Sequence, residues 1–363
     1  MTLVLAGFGT ALPAHRFTQA ELAELHAGFC RIDETRERTL KALYRRSGVK
    51  TRGSVILELA DGPLDARQSF YHPARDEHDR GPATTDRMRV YAEAAPRLAT
   101  TAAARALASA DVAPEAVTHL VTVSCTGFVA PGVDAAIIEG LGLPRTTQRT
   151  HVGFMGCHGA LNGLRVAHSF GGGSPDHVSL VCSVELCTLH FSYGWDPDMM
   201  VANALFADGA AAVVGRSANG SGDEWRVGGM GTFLVPDSRG DMTWRIGDHG
   251  FRMTLSARVP ELIQSQLEGW VVHWLAEHDL EVADVASWAV HPGGPRILSS
   301  VERALGVDRD HSEVSREVLA EHGNMSSATI LFILDRMRRL DAPRPCVALA
   351  FGPGLVVEAL LIV

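Results

Sequence analysis

An offset of 167 residues relates three pairs of segments in this chain, and it constrains the possible folds more than any other feature of the sequence. A buried-strand pattern ending at Ser124 matches a second one that ends at the HPGG turn, with Ser124 opposite His291. The same offset places Cys157 opposite Asn324, each at the start of a helical pattern, and the apolar run 178–184 opposite the run 345–351. This agreement indicates an internal duplication with a period far longer than that of a solenoid repeat.

Strand and helix patterns alternate in each half of the chain. The clearest ones predict strands at 1–7, 118–124 and 177–185 and helices at 18–52, 92–110, 133–141 and 329–340. Alternation of this kind favours an α/β fold whose parallel sheets carry helices on both faces. We therefore predict two similar halves, residues 1–225 with the cysteine and residues 226–363 with the histidine and asparagine.

Composition excludes several classes of protein. With 363 residues, 46% of them apolar, the chain is long enough to bury a large core. Its net charge of −9 argues against a nucleic-acid partner. The six cysteines form no C-x-x-C pair and no metal-ligand spacing with histidine, which predicts reduced thiols and no metal site. The N-terminal MTLVLAG reads as a buried strand rather than a signal peptide, and no apolar run reaches about 18 residues. We expect a cytoplasmic protein without a membrane span.

The segment 153–164 places a cysteine in a glycine-rich turn before a helix. Glycines at 153, 156 and 159 leave the approach to Cys157 open, and apolar residues at helical spacing follow it. A helix N-terminus at this point would direct unpaired N–H groups and the positive end of the helix dipole at the sulfur, which favours the thiolate. The alternative is a buried structural cysteine, a common environment for this residue.

Cys157, His291 and Asn324 each follow a predicted strand, in matching places of the two halves. Because ligands bind in α/β folds at the carboxyl ends of strands, we expect these three side chains to share one crevice. His291 would then form a thiolate–imidazolium pair with Cys157 and could donate to an oxyanion, and Asn324 would be a neutral donor to developing negative charge. Taken singly, His291 could instead be a satisfied strand-end residue and Asn324 a helix cap.

Two reaction classes use a cysteine, a histidine and an asparagine. A papain-like protease has the same chain order, and its histidine lies at about the same distance from the cysteine as the 134 residues found here. The surroundings of Cys157 lack the protease signature, and the duplicated α/β pattern does not fit that class. The other class is thioester chemistry, in which an acyl group is transferred to Cys157 and then condensed with an enolate.

Several motifs together resemble the type III polyketide synthases, the chalcone-synthase-like branch of the thiolase superfamily. They are LDARQ at 64–68, the Cys157 turn, ALFADGAA at 204–211, HPGG at 291–294, GNMSSA at 323–328 and FGPGL at 351–355. The resemblance implies a duplicated, five-layered αβαβα thiolase fold with two mixed or parallel sheets, and a homodimer. It also implies an enzyme that loads an acyl-CoA starter, extends it with malonyl-CoA by decarboxylative condensation and cyclises the product. Coenzyme A thioesters would be the substrates, and no separate cofactor is implied.

The resemblance also assigns roles to individual residues. Cys157 would accept the acyl group, and His291 and Asn324 would stabilise the enolate. Phe206 would be the gatekeeper between the coenzyme A tunnel and the cavity. The substrate cavity would be lined by Cys125, His190, Trp244, Met253, Ser326, Gly352 and Pro353.

Arg46 matches a coenzyme A contact of the family, whereas Thr39 and Ala42 replace basic residues of the plant enzymes. It belongs to a group of basic residues that also reads as a solvated helix face: Arg36, Arg38, Lys41, Arg45, Arg46, Lys50 and Arg52.

Trp244 stands where the plant enzyme has glycine, so the cavity differs from that of chalcone synthase. The segment TWRIGD at 243–248 is similar to that of bacterial relatives and suggests an alkylpyrone or alkylresorcinol product. The alternatives are a ketoacyl-synthase-III-like enzyme that performs a single condensation, and a thiol hydrolase that uses the same three residues.

Overall fold

The computed structural model describes residues 2–63, 66–171, 176–218 and 223–363. The strands are β1 Thr2–Ala11, β2 Arg16–Thr18, β3 Thr51–Gly53, β4 His119–Ser124, β5 Gln148–Gly153, β6 Val178–Leu186, β7 Asp208–Ala218, β8 Val227–Leu234, β9 Met242–Gly247, β10 Gly250–Leu255, β11 Ser287–Val290, β12 Cys346–Gly352 and β13 Val356–Ile362. The helices are α1 Gln19–Cys30, α2 Glu34–Arg46, α3 Thr84–Ala110, α4 Val133–Leu141, α5 Gly159–Gly171, α6 Pro197–Leu205, α7 Val259–Ala276, α8 Pro295–Leu305, α9 Glu313–His322 and α10 Ala328–Arg339.

Two large sheets repeat one topology. The first has the strand order β1-β7-β6-β4-β5, and the second has the order β8-β13-β12-β11. The β4–β6 pair and its counterpart, the β11–β12 pair, are parallel, and the remaining pairs of the shared four-strand order are antiparallel in both sheets. The equivalence of β4 with β11 and of β6 with β12 confirms the internal duplication predicted from the offset.

Both sheets are mixed, whereas the alternation of strands and helices taken alone favoured parallel ones. The parallel pairs are β4–β5, β4–β6 and β11–β12. A turn of three residues joins β12 to β13, and a connection this short forces the two strands to run antiparallel. The mixed arrangement agrees with the thiolase-like fold that the motifs implied.

Alternating side chains divide the core into layers. In β12, Cys346, Ala348 and Ala350 face the central layer formed by α5 and α10, which packs on the first sheet from its other side. The intervening residues Val347 and Leu349 face α7 and α8 on the outside of the second sheet. The alanine-rich helix α3 covers the outer face of the first sheet. The order is therefore α3, first sheet, α5 with α10, second sheet, α7 with α8, which is the five-layered αβαβα fold.

Local differences from the sequence-based elements have identifiable causes. The helical pattern at 18–52 divides into α1 and α2, because Arg31 adopts a left-handed conformation and Asp33 caps the next helix with its side chain. Helix α3 begins at Thr84, before the predicted start at residue 92. The predicted division of the chain after residue 225 lies just before β8 and stays a prediction.

Three further observations concern the described part of the chain. None of its helices is both long enough and apolar enough to cross a bilayer. In the same residues, no three His, Cys, Asp or Glu side chains come together to hold a metal ion. The motif at 64–68 falls partly outside the described residues. Its Arg67 is described: this side chain is buried beside Phe17 and pairs with Glu21 at 3.1 Å.

Candidate active site

The turn that carries Cys157 joins the carboxyl end of β5 to the start of α5. A single 3₁₀ turn, Gly156–His158, precedes the α-helix, so the cysteine lies at a helix N-terminus as predicted. Gly156 has φ of +72°, and a Cβ atom there would lie 2.3 Å from Cδ of Pro353, so only glycine fits. This contact places the Gly352–Pro353 loop directly against the cysteine turn.

Asn324 reaches the same place from the other half of the chain. Its backbone N–H donates to the carbonyl of Leu205, and its carbonyl accepts from the N–H of Ala207, both at 2.9 Å. Its Oδ1 accepts from the backbone N–H of Ser326 at 2.8 Å, and its side chain is close enough to Cys157 to act on the thiol, in the direction that lowers its pKa. Because Oδ1 is engaged, the amide N–H group is the donor directed at the sulfur.

Ser326 adds a second donor at the sulfur. Its Oγ lies 3.6 Å from Sγ of Cys157 and 3.1 Å from Sγ of Cys125, so the hydroxyl lies between two thiols. Ser326 has φ of +46° and is buried, and its backbone is held by Asn324. The two halves of the chain therefore converge on Cys157 through one amide and one hydroxyl.

His291 follows β11 and is buried at the carboxyl end of the second sheet. Its backbone N–H donates to the carbonyl of Leu349 at 2.8 Å, beside β12. Within the described residues, neither ring nitrogen has a hydrogen-bond partner, so no hydrogen bond joins His291 to Cys157. The ring of His158, the residue that follows the cysteine, is near enough that protonation of one ring disfavours protonation of the other. Two unpaired polar atoms in a buried ring indicate a group kept for a ligand rather than for the fold.

Burial sets the protonation of both groups. It raises the pKa of the Cys157 thiol to about 12; the hydrogen bonds from Ser326 and Asn324 act to lower it, and the charge of Glu185 raises it further. Burial also lowers the pKa of His291 to about 3, with repulsion from His158 in the same direction. Both shifts favour the neutral forms at pH 7. Burial therefore opposes the predicted thiolate–imidazolium pair, which stays a prediction.

The pH dependence of thiol alkylation tests this protonation state. Below its pKa a thiol gains thiolate about tenfold per pH unit, so the rate of Cys157 alkylation by iodoacetamide should rise by about that factor per unit from pH 6 to 9. Subtracting the rate of Cys157→Ala removes the contribution of the other five cysteines. A rate that is flat across this range would contradict the neutral pair, because an ion pair is already a thiolate there.

Glu185 is a functional candidate that the sequence reasoning missed. It is fully buried at the end of β6 and accepts hydrogen bonds from the Cys125 backbone N–H at 3.0 Å, from Thr126 Oγ1 at 2.7 Å and from Ser327 Oγ. Burial raises the pKa of its carboxyl group. An acidic residue closing the apolar run 177–185 was the signal that could have identified it.

Aromatic side chains form one wall beside the cysteines. Trp244 donates its indole N–H to the Cys125 carbonyl at 2.8 Å, and its ring lies 6.1 Å from that of Phe206. Met253 on β10 pairs with Trp244 on β9. His190 is 5.4 Å from the Trp244 ring; its Nε2 donates to the Thr126 carbonyl at 2.7 Å.

Because Nδ1 of His190 accepts from the backbone N–H of Phe251 at 3.0 Å, both of its ring nitrogens are occupied. Burial also lowers the pKa of this ring to about 3. His190 therefore supports the wall as a neutral ring, with neither nitrogen available for a polar contact to substrate.

The basic residues of the N-terminal region separate into two environments. Arg46 is exposed in the last turn of α2. This exposure fits both interpretations of the basic residues, a solvated helix face and an anion-binding site. Arg52, counted with it in the sequence, is instead 1% exposed. The run of basic residues is therefore not one surface, because β3 turns Arg52 into the interior.

Comparisons with known proteins cover the whole chain. The family profile described as "Chalcone and stilbene synthases, N-terminal domain" matches residues 1–218, and its C-terminal counterpart matches residues 229–363. The 1,3,6,8-tetrahydroxynaphthalene synthase of Streptomyces peucetius subsp. caesius is 34% identical, over 99% of this chain and 92% of its own length. The "Alpha-pyrone synthesis polyketide synthase-like Pks18" of Mycobacterium tuberculosis is 33% identical, over 99% and 90%.

Solved structures agree with these matches. PKS-I from the brown alga Ectocarpus siliculosus superposes with a TM-score of 0.91 at 30% identity, over 99% of this chain and 98% of that one. The C-terminal type III polyketide synthase domain of Steely1 from Dictyostelium gives a TM-score of 0.90 at 29% identity, over 100% and 99%. Fold, chain length and element order are therefore shared along the whole sequence.

Proposed function

We propose catalytic roles for the residues around Cys157 in this chain, which belongs to the chalcone and stilbene synthase family and is a type III polyketide synthase, an acyltransferase that performs decarboxylative condensation. The observation that carries the proposal is the convergence on one sulfur of the Asn324 amide and the Ser326 hydroxyl, from opposite halves of a duplicated fold. Cys157 is the nucleophile, because it alone among the cysteines lies at the helix start where these donors meet.

In the loading step, the Cys157 sulfur attacks the carbonyl carbon of an acyl-CoA thioester. The thiol proton passes to His291, whose neutral ring can accept it, and then to the departing coenzyme A thiolate. One carbon–sulfur bond forms and another breaks, so an acyl-cysteine and free coenzyme A result. The unpaired ring nitrogens of His291 supply the proton acceptor.

In the extension step, malonyl-CoA loses carbon dioxide and its carbonyl oxygen takes up negative charge. The Asn324 amide and a His291 ring N–H donate to this oxygen, and both are buried, where such donors are most effective. The enolate carbon then attacks the acyl carbonyl on Cys157 and displaces the thiolate. A neutral His291 suits this role because it can donate without leaving a buried positive charge after reaction.

Chain length and ring closure depend on the wall opposite the sulfur. We propose that Phe206, Trp244 and Met253, with the Gly352–Pro353 loop, bound the growing chain. An alkylpyrone or alkylresorcinol from a fatty acyl starter is the proposed product, and the name of the α-pyrone relative supports it. The name of the tetrahydroxynaphthalene relative makes a product built from malonyl-CoA alone the second candidate.

Incubation with malonyl-CoA and a panel of acyl-CoA starters, analysed by mass spectrometry, tests this assignment. We expect cyclised products extended by more than one unit from a fatty acyl starter. A product made equally well without starter would favour the second candidate. A linear product with a single extension, or free fatty acid without extension, would contradict the proposed reaction.

We propose that coenzyme A thioesters are bound with their phosphates near the exposed end of α2 and that no separate cofactor takes part. Arg46 and its neighbour Arg45 lie there, where an anion meets positive charge without desolvation of a buried group. We also propose a cytoplasmic location, which the free state of the six cysteines supports.

A homodimer is proposed from the exposed side of the first sheet. Within the part of the chain that the structure describes, β5 is an edge strand whose only partner is β4, and edge strands of this kind pair readily with a second copy. Three large apolar side chains beside it are exposed: Phe128 by 43%, Val129 by 37% and Met155 by 40%. A two-fold contact through this edge would bury them and place the two cysteine turns near the interface.

Phe128→Arg combined with Val129→Asp should convert the dimer to a monomer. Charged side chains in the centre of an apolar contact lose their hydration without a partner, at a cost of several kcal/mol. Light scattering coupled to size-exclusion chromatography measures the change, and Leu340→Arg, at a site 63% exposed at the end of α10, is the matched control. An unchanged mass for the double variant would remove this surface as the interface.

A further inference from the structure

Arg52 is a buried guanidinium that makes no direct ion pair within the described residues. It is 1% exposed, and the negative charge that acts on it is the buried Asp208 carboxylate, which is not a direct salt-bridge partner. It packs 5.6 Å from the Tyr44 ring, and its Nε has no hydrogen-bond partner in the same residues. Burying an incompletely paired charge is costly for stability, so its retention calls for a function.

The rest of the Arg52 guanidinium holds the carboxyl end of α6. One terminal nitrogen donates to the carbonyls of Asn203 at 2.8 Å and Phe206 at 2.7 Å. The other donates to Oε1 of Gln19 at 2.8 Å, and the Gln19 amide donates to the Ala204 carbonyl at 2.7 Å. Two side chains thus bind three carbonyls that the helix leaves without intrahelical partners, at the negative end of its dipole.

The segment held in this way carries the backbone of Asn324. Phe206 and Asn324 form a parallel β-bridge, in which the Leu205 carbonyl and the Ala207 N–H each bond Asn324 at 2.9 Å. Arg52 also packs close to the residue before it, because a Cβ atom on Gly323 would lie 3.3 Å from Cβ of Arg52. A series of hydrogen bonds therefore runs from Arg52 through residues 205–207 to Asn324, whose Oδ1 holds the backbone of Ser326 beside the Cys157 sulfur.

We propose that Arg52, together with Gln19, is a positioning residue that sets the Asn324 amide against the reacting oxygen by fixing the end of α6. This inference rests on the proposed function of Asn324 as the donor to the enolate. It separates the two half-reactions: loading needs Cys157 and His291, whereas decarboxylation needs His291 and a correctly placed Asn324. Loss of Arg52 should therefore impair decarboxylation more than loading.

The test measures both half-reactions in the same preparation of Arg52→Met: acylation of Cys157 in a single turnover, and carbon dioxide release from malonyl-CoA. We expect the kcat for decarboxylation to fall by about tenfold or more with little change in KM, because misplacing one donor costs that much. Acylation should stay within about twofold of the wild-type rate. Arg338→Met is the matched control, because Arg338 also donates to a backbone carbonyl, that of Leu5 at 2.9 Å, and packs on an aromatic ring.

A proportional loss of both half-reactions, or no loss of either, overturns the positioning role. If Arg52→Met does not fold, Gln19→Leu is measured instead, since it loosens the same helix end and keeps the Arg52 guanidinium in place, although it removes one of its acceptors. An unchanged ratio of the two rates then overturns the proposal. A wild-type protein that acylates Cys157 but releases no carbon dioxide contradicts the role of Asn324, and with it this inference. If the wild-type protein does release carbon dioxide, an unchanged ratio of acylation to decarboxylation in the variant contradicts the role of Arg52 but not that of Asn324.

Discussion

Cys157→Ala should lower polyketide formation by at least about 10³-fold while leaving measurable release of carbon dioxide from malonyl-CoA. The substitution removes the sulfur that accepts the acyl group, so no starter can be held for extension. His291 and Asn324 remain in place, because their backbones are fixed by β12 and by the 205–207 segment rather than by the cysteine. Mass spectrometry of the products and a carbon dioxide assay measure the two activities separately.

Cys30→Ala is the control for this experiment, because Cys30 is a half-buried thiol in α1 outside the site, and full product formation is expected from it. Undiminished product from Cys157→Ala would refute the role of this residue. Loss of decarboxylation to the same extent as product would show that the sulfur itself helps to stabilise the enolate.

Asn324→Ala should have the opposite effect: it should impair decarboxylation of malonyl-CoA and spare acylation of Cys157. Removing one donor to a developing oxyanion lowers such rates by about 10²–10³-fold, so decarboxylation should fall by that factor. Acylation of Cys157 should persist, since its nucleophile and proton acceptor are untouched. The ratio of acyl-enzyme formed in one turnover to carbon dioxide released is the quantity to measure.

Ala is preferred to Asp at this position for a physical reason. An aspartate would add negative charge next to the enolate and near the buried Glu185. A slower reaction could then come either from the lost amide donor or from repulsion of the enolate. Equal losses of acylation and decarboxylation in Asn324→Ala would mean that this residue supports the turn as a whole rather than one step.

The duplication and the position of Asn324 could be predicted because they depend on order along the chain. An offset between two copies survives in the sequence, and the carboxyl ends of equivalent strands must lie in equivalent places. That reasoning placed Cys157 at a helix N-terminus and Asn324 in the opposite half of the fold, where the structure has them. The catalytic roles of the site residues stay predictions until the variants are measured.

The protonation of the site could not be predicted in the same way. The glycine turn and the helix start are local and visible in sequence, and both favour a thiolate at Cys157. The opposing effect is burial by residues from distant parts of the chain, and it decides the pKa of both Cys157 and His291. The burial of Glu185 and Arg52 was not predicted for a related reason. Whether a charged residue in a strand is buried depends on the distant residues that pack around it, and the sequence does not show these.

Peptide mapping of the acyl-enzyme tests the central claim most directly. Cys125 is a second thiol in the site, 3.1 Å from the same Ser326 hydroxyl, so the acyl group has two possible acceptors. After a short incubation with acyl-CoA and digestion with trypsin, we predict one acyl group per chain, on the peptide 150–165 that contains Cys157. An acyl group on the peptide 106–145, which contains Cys125, or no acyl-enzyme at all, would contradict the assignment of the nucleophile.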